Sequence, residues 1–548
     1  MTRYVKFSAI YALMFTLVSP AICAEDAVTE ALVQRIELLS ETPDASLRGV
    51  AILGAPLLAD VYARRDHAPA WERPGQIDEL VSLLSESGDD GLTPADYFVD
   101  ELVALRREVA EDPSPQAAAD LDILLTEALA RFGYHQAFGK VDNRQFDPNI
   151  NFRRELSEGE DPAETIQQAI DSPSVRAFLA EQLPRGPVYV LLRDALSAYR
   201  DIAEQGGWGE VDSGPTMKEG ESGPRVAQLR RRLAVTGDLP DGASPGGDDF
   251  DAQLVVGVRS FQERHALDVD GAVGPATLEA INVPVEQRID QLRLSLERLR
   301  WVREEIVDKF VAVNIAGFRV FFARGQKIEW VTRAMVGKTY RQTPVFRGDI
   351  RYLEMNPTWT IPPGILRNDT LPAIKRDPNY LANKNISVID RDGRKVDPAT
   401  VDWNRYTKGV PYTLRQEPGP NNSLGTIKFI FPNEHFVFLH DTPSRALFGR
   451  SERAFSSGCI RVEDPLRLAE LLLDEPDKWN RESLQGKIDG KQTERIYLDD
   501  PVPVLILYLT ASIEGDGRVR FLKDVYSRDT KLLEALNDPP QLALPSAS

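Results

Sequence analysis

Cys459 and His440 are the residues of this chain best suited to covalent chemistry, and they lie nineteen positions apart within VFLHDTPSRALFGRSERAFSSGCIRV, Val437 to Val462. A thiol and an imidazole joined by one short excursion of chain are the minimal parts of a cysteine nucleophile and its base. Ser456-Ser457-Gly458 makes a small-residue turn before the thiol. Gly458 lets a substrate approach the backbone closely. The amides of Gly458 and Cys459 are expected to donate to a carbonyl oxygen as it becomes an oxyanion. Arg461 either holds this loop or binds a substrate carboxylate, and its charge favours the thiolate. An inert buried thiol is the plain alternative, but it leaves the glycine before, the arginine after and the histidine upstream unexplained.

The elements that must position these groups follow from pattern. In HFVFLH, read as part of a strand Phe436 to His440, His435 and His440 are five apart and so face opposite sides of a sheet. His440, at the strand end, is taken as the base and His435 as a surface or structural residue. Asp464-Pro465 reads as a helix N-cap and first turn. The helix through Leu466, Ala469 and Leu472 then anchors the cysteine turn against the core. From Phe310 onward short β-branched and aromatic runs (FVAVNI, FRVFFA, IEWVTRAMVG), then Arg351 to Met355, Ile427 to Phe431 and Tyr497 to Leu509, predict a mainly β domain. Between Pro362 and Gln416 a charged segment of helical and turn character interrupts the strands, and we read it as a cap over the site.

Upstream the chain is helical. Ala118 to Phe132 sets Leu121, Leu124, Leu125 and Leu129 on one face, and residues 25–210 read as a helical scaffold without chemistry of its own. A Gly-rich linker follows, then a unit over 222–284. Val226, Leu229 and Leu233 form one stripe in it, and Leu254, Val258 and Phe261 a second. Gly271 and Gly274 precede a third short helix. Phe261-Gln262, Asp270-Gly271, Val273-Gly274, Thr277-Leu278 and Asn282 resemble the peptidoglycan-binding domain of cell-wall enzymes. Ile289, Leu292, Leu296 and Leu299 predict a linking helix that ends near Trp301.

Arg3 and Lys6, the apolar run Phe7 to Val18 and the small residues up to Ala24 have the layout of a secretory signal peptide, residues 1–24, too short to span a bilayer. Its removal takes away Cys23 and leaves Cys459 alone, so stability comes from burial and not from disulfides. The formal charge is −19 before that removal, which disfavours nucleic acid and anionic membrane surfaces as partners. The five histidines have no metal-ligand spacing. We therefore expect no metal, no cofactor, no transmembrane anchor and a periplasmic address.

His440-Asp441-Thr442-Pro443 and Ser456-Ser457-Gly458-Cys459-Ile460-Arg461-Val462 resemble the active-site motif of the L,D-transpeptidases (YkuD-type domain), and most closely its large Gram-negative members. Thr339 to Ile350, Asn356 to Leu366 and Pro418 to Asn433 resemble that subgroup too. Asp441 stands where many members have Gly, and Ser457 where many have His. The resemblance implies a multidomain α+β chain: a helical scaffold, a three-helix wall-binding module, a mainly β catalytic domain over 308–529 with its cap at about 362–416, and a tail over 530–548. It implies that Cys459, activated by His440, attacks the diaminopimelate carbonyl of a tetrapeptide stem and releases D-Ala. A second stem amine then resolves the thioester into a 3→3 cross-link. The Asp441 carbonyl would orient His440, Gly458 would supply an oxyanion amide, and Arg461, Ser457, Trp359 and Tyr352 would face substrate. Carbapenem acylation of the thiol follows from the same resemblance, and so does the possibility of other wall-synthesis enzymes as partners.

Rival readings change the acceptor or the class. With water the chain is an L,D-carboxypeptidase; with a free D-amino acid, an exchange enzyme; with a protein lysine, an enzyme attaching that protein to the wall. A non-catalytic wall-binding scaffold is the reading of another class. A papain-like protease is disfavoured, because here His precedes Cys by a short span.

Overall fold

The computed structural model describes residues 20–541 and 544, apart from 43, 155, 157, 158, 183–185, 326 and 516. Most of the expected leader, residues 1–19, lies outside the described residues. Among these no helix is long and apolar enough to cross a membrane.

The scaffold is built on α1 (Pro20–Glu41), α2 (Pro115–Phe138) and α3 (Pro187–Glu204). Ser114 caps α2 by accepting from the Ala117 amide, and Pro115 follows as its first residue. The four leucines expected on one face of α2 are all buried. The next unit holds α4 (Pro224–Val235), α5 (Ala252–Arg264) and α6 (Pro275–Ile281), closed over Val226, Leu229, Leu233, Leu254, Val258 and Phe261. Gln262 is its polar pin, donating to Asp270 Oδ1 at 2.8 Å and to the Ala272 carbonyl at 2.9 Å. α7 (Val285–Trp301) is the predicted linking helix.

The β domain carries β1 (Lys309–Asn314), β2 (Arg319–Arg324), β3 (Lys327–Gly337) and β4 (Phe346–Met355). After β5 (Trp359–Thr360) come β6 (Ile386–Ile389), β7 (Lys395–Val396) and β8 (Thr413–Gln416). The remaining strands are β9 (Ile427–Ile430), β10 (Leu439–His440), β11 (Ala454–Ser456), β12 (Ile460–Val462) and β13 (Glu494–Leu507), with α8 (Pro465–Leu473) and α9 (Asp529–Asn537). The main sheet runs β11-β3-β12-β10-β9-β4-β13-β1-β2, and pairing of β2 with β3 closes it on itself. Leu353, Met355, Phe429, Leu439, Ile460 and Val462 fill the core from one face. Alternation along each strand then turns Glu354, Lys428, His440 and Arg461 to the other.

Two expectations change. The strand expected over Phe436 to His440 shrinks to Leu439–His440, because Phe436 adopts a left-handed φ of 54° that ends regular alternation. The cap is also more than helix and turn. Strands β5-β8-β6-β7 form a second sheet in it, over a separate core of Ile361, Leu366, Ile374, Leu381, Ile386, Val388 and Leu414. Strands of two to four residues are too short for alternation to show in sequence.

Candidate active site

Strand pairing brings the two reactive residues together. β10 and β12 run parallel, with His440 opposite Arg461 and Leu439 opposite Ile460. Cys459 precedes Arg461 by two positions and so shares its face, which is also the face of His440. α8 holds the far side: Asp464 caps it by accepting from the Arg467 amide at 3.3 Å, and Leu468 and Leu472 enter the core.

His440 is buried, and its Nδ1 lies 2.5 Å from the Asp441 carbonyl. That contact makes Nδ1 a donor to the carbonyl, and a second backbone hydrogen bond, to Leu424, also favours the protonated ring. Burial, then the charge of Arg461, pulls the imidazole down to about 3, so it is neutral at neutral pH. Cys459 is half-buried, and its Sγ points to the Phe436 carbonyl at 3.7 Å and not to the imidazole. Burial pushes the thiol up, opposed by a backbone hydrogen bond of Phe438 and by the charges of Lys428 and Arg461. Both shifts favour a neutral thiol and a neutral imidazole on this face over a preformed ion pair.

The carbonyl that pins His440 is itself held. Asp441 Oδ2 accepts from the Thr426 amide at 2.9 Å and from Thr426 Oγ1 at 2.8 Å, while Oδ1 accepts from Arg445 at 2.9 Å. Gly425, at φ +64°, leaves the room: a Cβ there would lie 2.5 Å from Asp441 Oδ2. An aspartate at this position thus comes with a glycine and a threonine shaped to it.

The nucleophile turn is tied as tightly. Ser456 Oγ donates to the Cys459 carbonyl at 2.6 Å and accepts from the Gly458 amide at 3.0 Å. Thr343 Oγ1 donates to the Gly458 carbonyl at 2.8 Å and accepts from Gly337 at 2.9 Å. The Gly458 N–H, expected as an oxyanion donor, is thus engaged by Ser456 Oγ. The Cys459 amide makes no hydrogen bond among the described residues, and is the donor left for a developing oxyanion.

The other expected residues divide. Arg461 faces the site, and its buried Nε has no partner among the described residues. Ser457 is exposed and accepts from Arg341 Nη1 at 2.9 Å; the same nitrogen holds Asp369 of the cap at 2.7 Å. Tyr352 lies on the same face of β4 as Glu354, its ring tilted against Tyr497 at 5.1 Å and beneath the Arg495 guanidinium. Trp359 packs against the core of the cap, and no hydrogen bond or ring contact joins it to Cys459, His440 or Arg461. His435 sits edge-on to Phe346 at 4.7 Å. No cluster among the described residues could hold a metal ion.

Sequence reasoning missed Lys428. On β9 it stands opposite His440 on one side and Glu354 on the other, its ammonium 3.8 Å over the Phe438 ring. Strand register, which no local motif encodes, is what brings it here. Arg341 was missed too: it lies in the turn between β3 and β4, and only tertiary contacts bring it to Ser457 and Asp369.

Comparison with known proteins fits this geometry. Residues 308–504 match the L,D-transpeptidase catalytic domain family, 222–281 a provisionally assigned peptidoglycan binding domain, and 56–196 a scaffold domain. A curated protein of Haemophilus influenzae, provisionally named L,D-transpeptidase, is 36% identical over 248 residues, which is 45% of this chain and 50% of that protein. The chain thus spans about half the length of that curated relative. Among solved structures, an L,D-transpeptidase of Xylanimonas cellulosilytica aligns at 15% identity over 54% of this chain and 100% of its own, with a TM-score of 0.18. One of Stackebrandtia nassauensis aligns at 12% identity over 54% and 96%, with a TM-score of 0.20.

Proposed function

The chain carries an L,D-transpeptidase catalytic domain over residues 308–504, and from that premise we propose that it joins peptidoglycan stem peptides by acyl transfer through a thioester on Cys459. The observation that carries the reading is one sheet face shared by Cys459, His440 and Arg461, with the imidazole held neutral and its Nδ1 pinned 2.5 Å from the Asp441 carbonyl. His440 Nε2 takes the thiol proton as Sγ attacks the diaminopimelate carbonyl carbon. The tetrahedral intermediate collapses, and the same nitrogen returns the proton to the departing D-Ala amine. The side-chain amine of a second stem then attacks the thioester, giving its proton to His440 and freeing the thiol. A 3→3 amide results, and each step has a balanced proton.

The Cys459 amide stabilises the oxyanion in both halves. The cap excludes water, so that amine outcompetes hydrolysis at the thioester. The module at 222–281 holds the chain to its polymeric substrate, and an acidic chain with a leader at 1–24 works in the periplasm.

The test is incubation of residues 25–548 with diaminopimelate tetrapeptide muropeptides, with products followed by mass spectrometry. Loss of D-Ala with dimer formation, absent in Cys459→Ala, is the expected result. Tripeptide without dimer makes water the acceptor, and the chain a carboxypeptidase. Dimers from Cys459→Ala sink the thioester mechanism.

A further inference from the structure

A line of directly opposed residues crosses the sheet on its catalytic face: Arg495, Glu354, Lys428, His440 and Arg461, on β13, β4, β9, β10 and β12. The charges in this row are unevenly matched. Glu354 pairs with Arg495 at 3.4 Å. Lys428 and Arg461, on either side of the imidazole, make no ion pair or hydrogen bond among the described residues. Lys428 lies over the face of Phe438 and feels Glu354 only at longer range, that carboxylate being paired with Arg495, and the Nε of Arg461 is buried without an acceptor. Withdrawing an ammonium and a guanidinium from water without a directly paired counter-ion costs free energy. Burial accordingly pulls both below their ordinary values. Two such cations flanking a catalytic base, within electrostatic reach of the thiol, are arranged for an anion that arrives with the substrate.

The chemistry of the donor identifies the anion. Where the scissile amide precedes the last residue of a peptide, the free α-carboxylate lies three bonds from the carbonyl carbon under attack. A thiol reaching that carbon brings the carboxylate to its own flank. We propose that Lys428, together with Arg461, forms a two-cation seat for the terminal carboxylate of the donor peptide. The inference rests on the acyl-transfer reading above and adds to it a specificity residue. Seating the carboxylate does a second thing. Burial is the main cause of the depressed imidazole, and the seated carboxylate offsets the secondary part due to Arg461 and Lys428, which strengthens His440 as a base when substrate is present.

Binding tests the seat without turnover. In Cys459→Ala protein, calorimetry compares a diaminopimelate tetrapeptide stem with the same stem ending in a carboxamide. The acid should bind about ten-fold tighter or more, as expected for a charge-assisted contact replaced by a neutral one. Lys428→Met in the same background should erase most of that ratio, and Lys428→Arg should keep it. A purely structural role for Lys428 would weaken both ligands alike and leave the ratio intact. Equal binding of acid and amide with Lys428 in place overturns the seat and leaves the reaction standing, whether or not the variants fold. A Lys428→Met protein that discriminates as before removes Lys428 from it. Failure of both stems to bind brings down the reaction reading together with the seat.

Discussion

Gly425→Ala should damage the site through Asp441, and a double-mutant cycle isolates the route. The new Cβ lies 2.5 Å from Asp441 Cβ and Oδ2, on a backbone at φ +64°. The left-handed conformation alone costs about 1 kcal/mol for alanine. The carboxylate must also leave Thr426, whose amide and hydroxyl donate to it at 2.9 and 2.8 Å. Two charge-assisted bonds partly regained elsewhere put that loss at about 3 kcal/mol, for a total near 4 kcal/mol. With Asp441→Gly already in place nothing remains to collide with, and Gly425→Ala should cost only the conformational part, leaving a coupling of about 3 kcal/mol. Amide hydrogen exchange across β9 and β10 reads this locally, including the Asp441 amide that donates to Ile427 at 2.9 Å. Turnover should fall about a hundredfold in Gly425→Ala, since the displaced carbonyl is the one orienting His440. Additive costs, within about 0.5 kcal/mol, would refute the argument.

Three further outcomes follow from the same contacts. Thr343→Val removes the hydroxyl that bridges Gly337 and Gly458, and should destabilise the domain by about 1–3 kcal/mol with a larger loss of turnover than of substrate binding, read by melting and steady-state kinetics. The thiol of the free protein, raised by burial, is protonated at neutral pH, so its alkylation rate should still be climbing with pH above about 8.5; a plateau below that value would mean a resting thiolate. Arg341→Ala cuts the link from Ser457 to Asp369 of the cap, and should shift products from dimer toward hydrolysed tripeptide in the muropeptide assay.

That Cys459 and His440 meet on one sheet face was legible because a motif and period-two alternation carry them. What was not legible depends on contacts between strands distant in sequence. Lys428 reads as an ordinary alternating polar residue until pairing sets it between Glu354 and His440. The Gly458 amide looked available because sequence does not show that Ser456 Oγ turns back to accept it. Phe436 broke the expected strand through a backbone conformation that a non-glycine residue rarely signals. The sheet within the cap escaped notice because its strands are short and its core, from Ile361 to Leu414, is scattered over fifty residues of charged sequence.

The scaffold, silent in sequence, is joined to the catalytic domain by a buried carboxylate, and this makes a last prediction. Glu297 on α7 is fully buried, accepting from the Val141 amide at 2.8 Å, from Trp301 Nε1 at 3.1 Å and from Arg300. Arg300 reaches on to the Asp90 carbonyl and to Tyr189, both in the scaffold, at 2.9 Å. The same helix meets the catalytic domain, with Arg298 on Asp529 at 2.7 Å and Ser295 accepting from Ala511 at 2.9 Å. Glu297→Ala leaves the Arg300 charge buried and opposed by no carboxylate on its own helix, at a cost of about 3–5 kcal/mol. Because that charge sits at the scaffold side of α7, the loss falls on the joint. Calorimetric unfolding should pass from one cooperative transition to two, the scaffold melting first, with Glu297→Gln intermediate because it can still accept from Val141. Two separate transitions in the unaltered chain would show that α7 does not couple the domains, and the joint would then be a tether only.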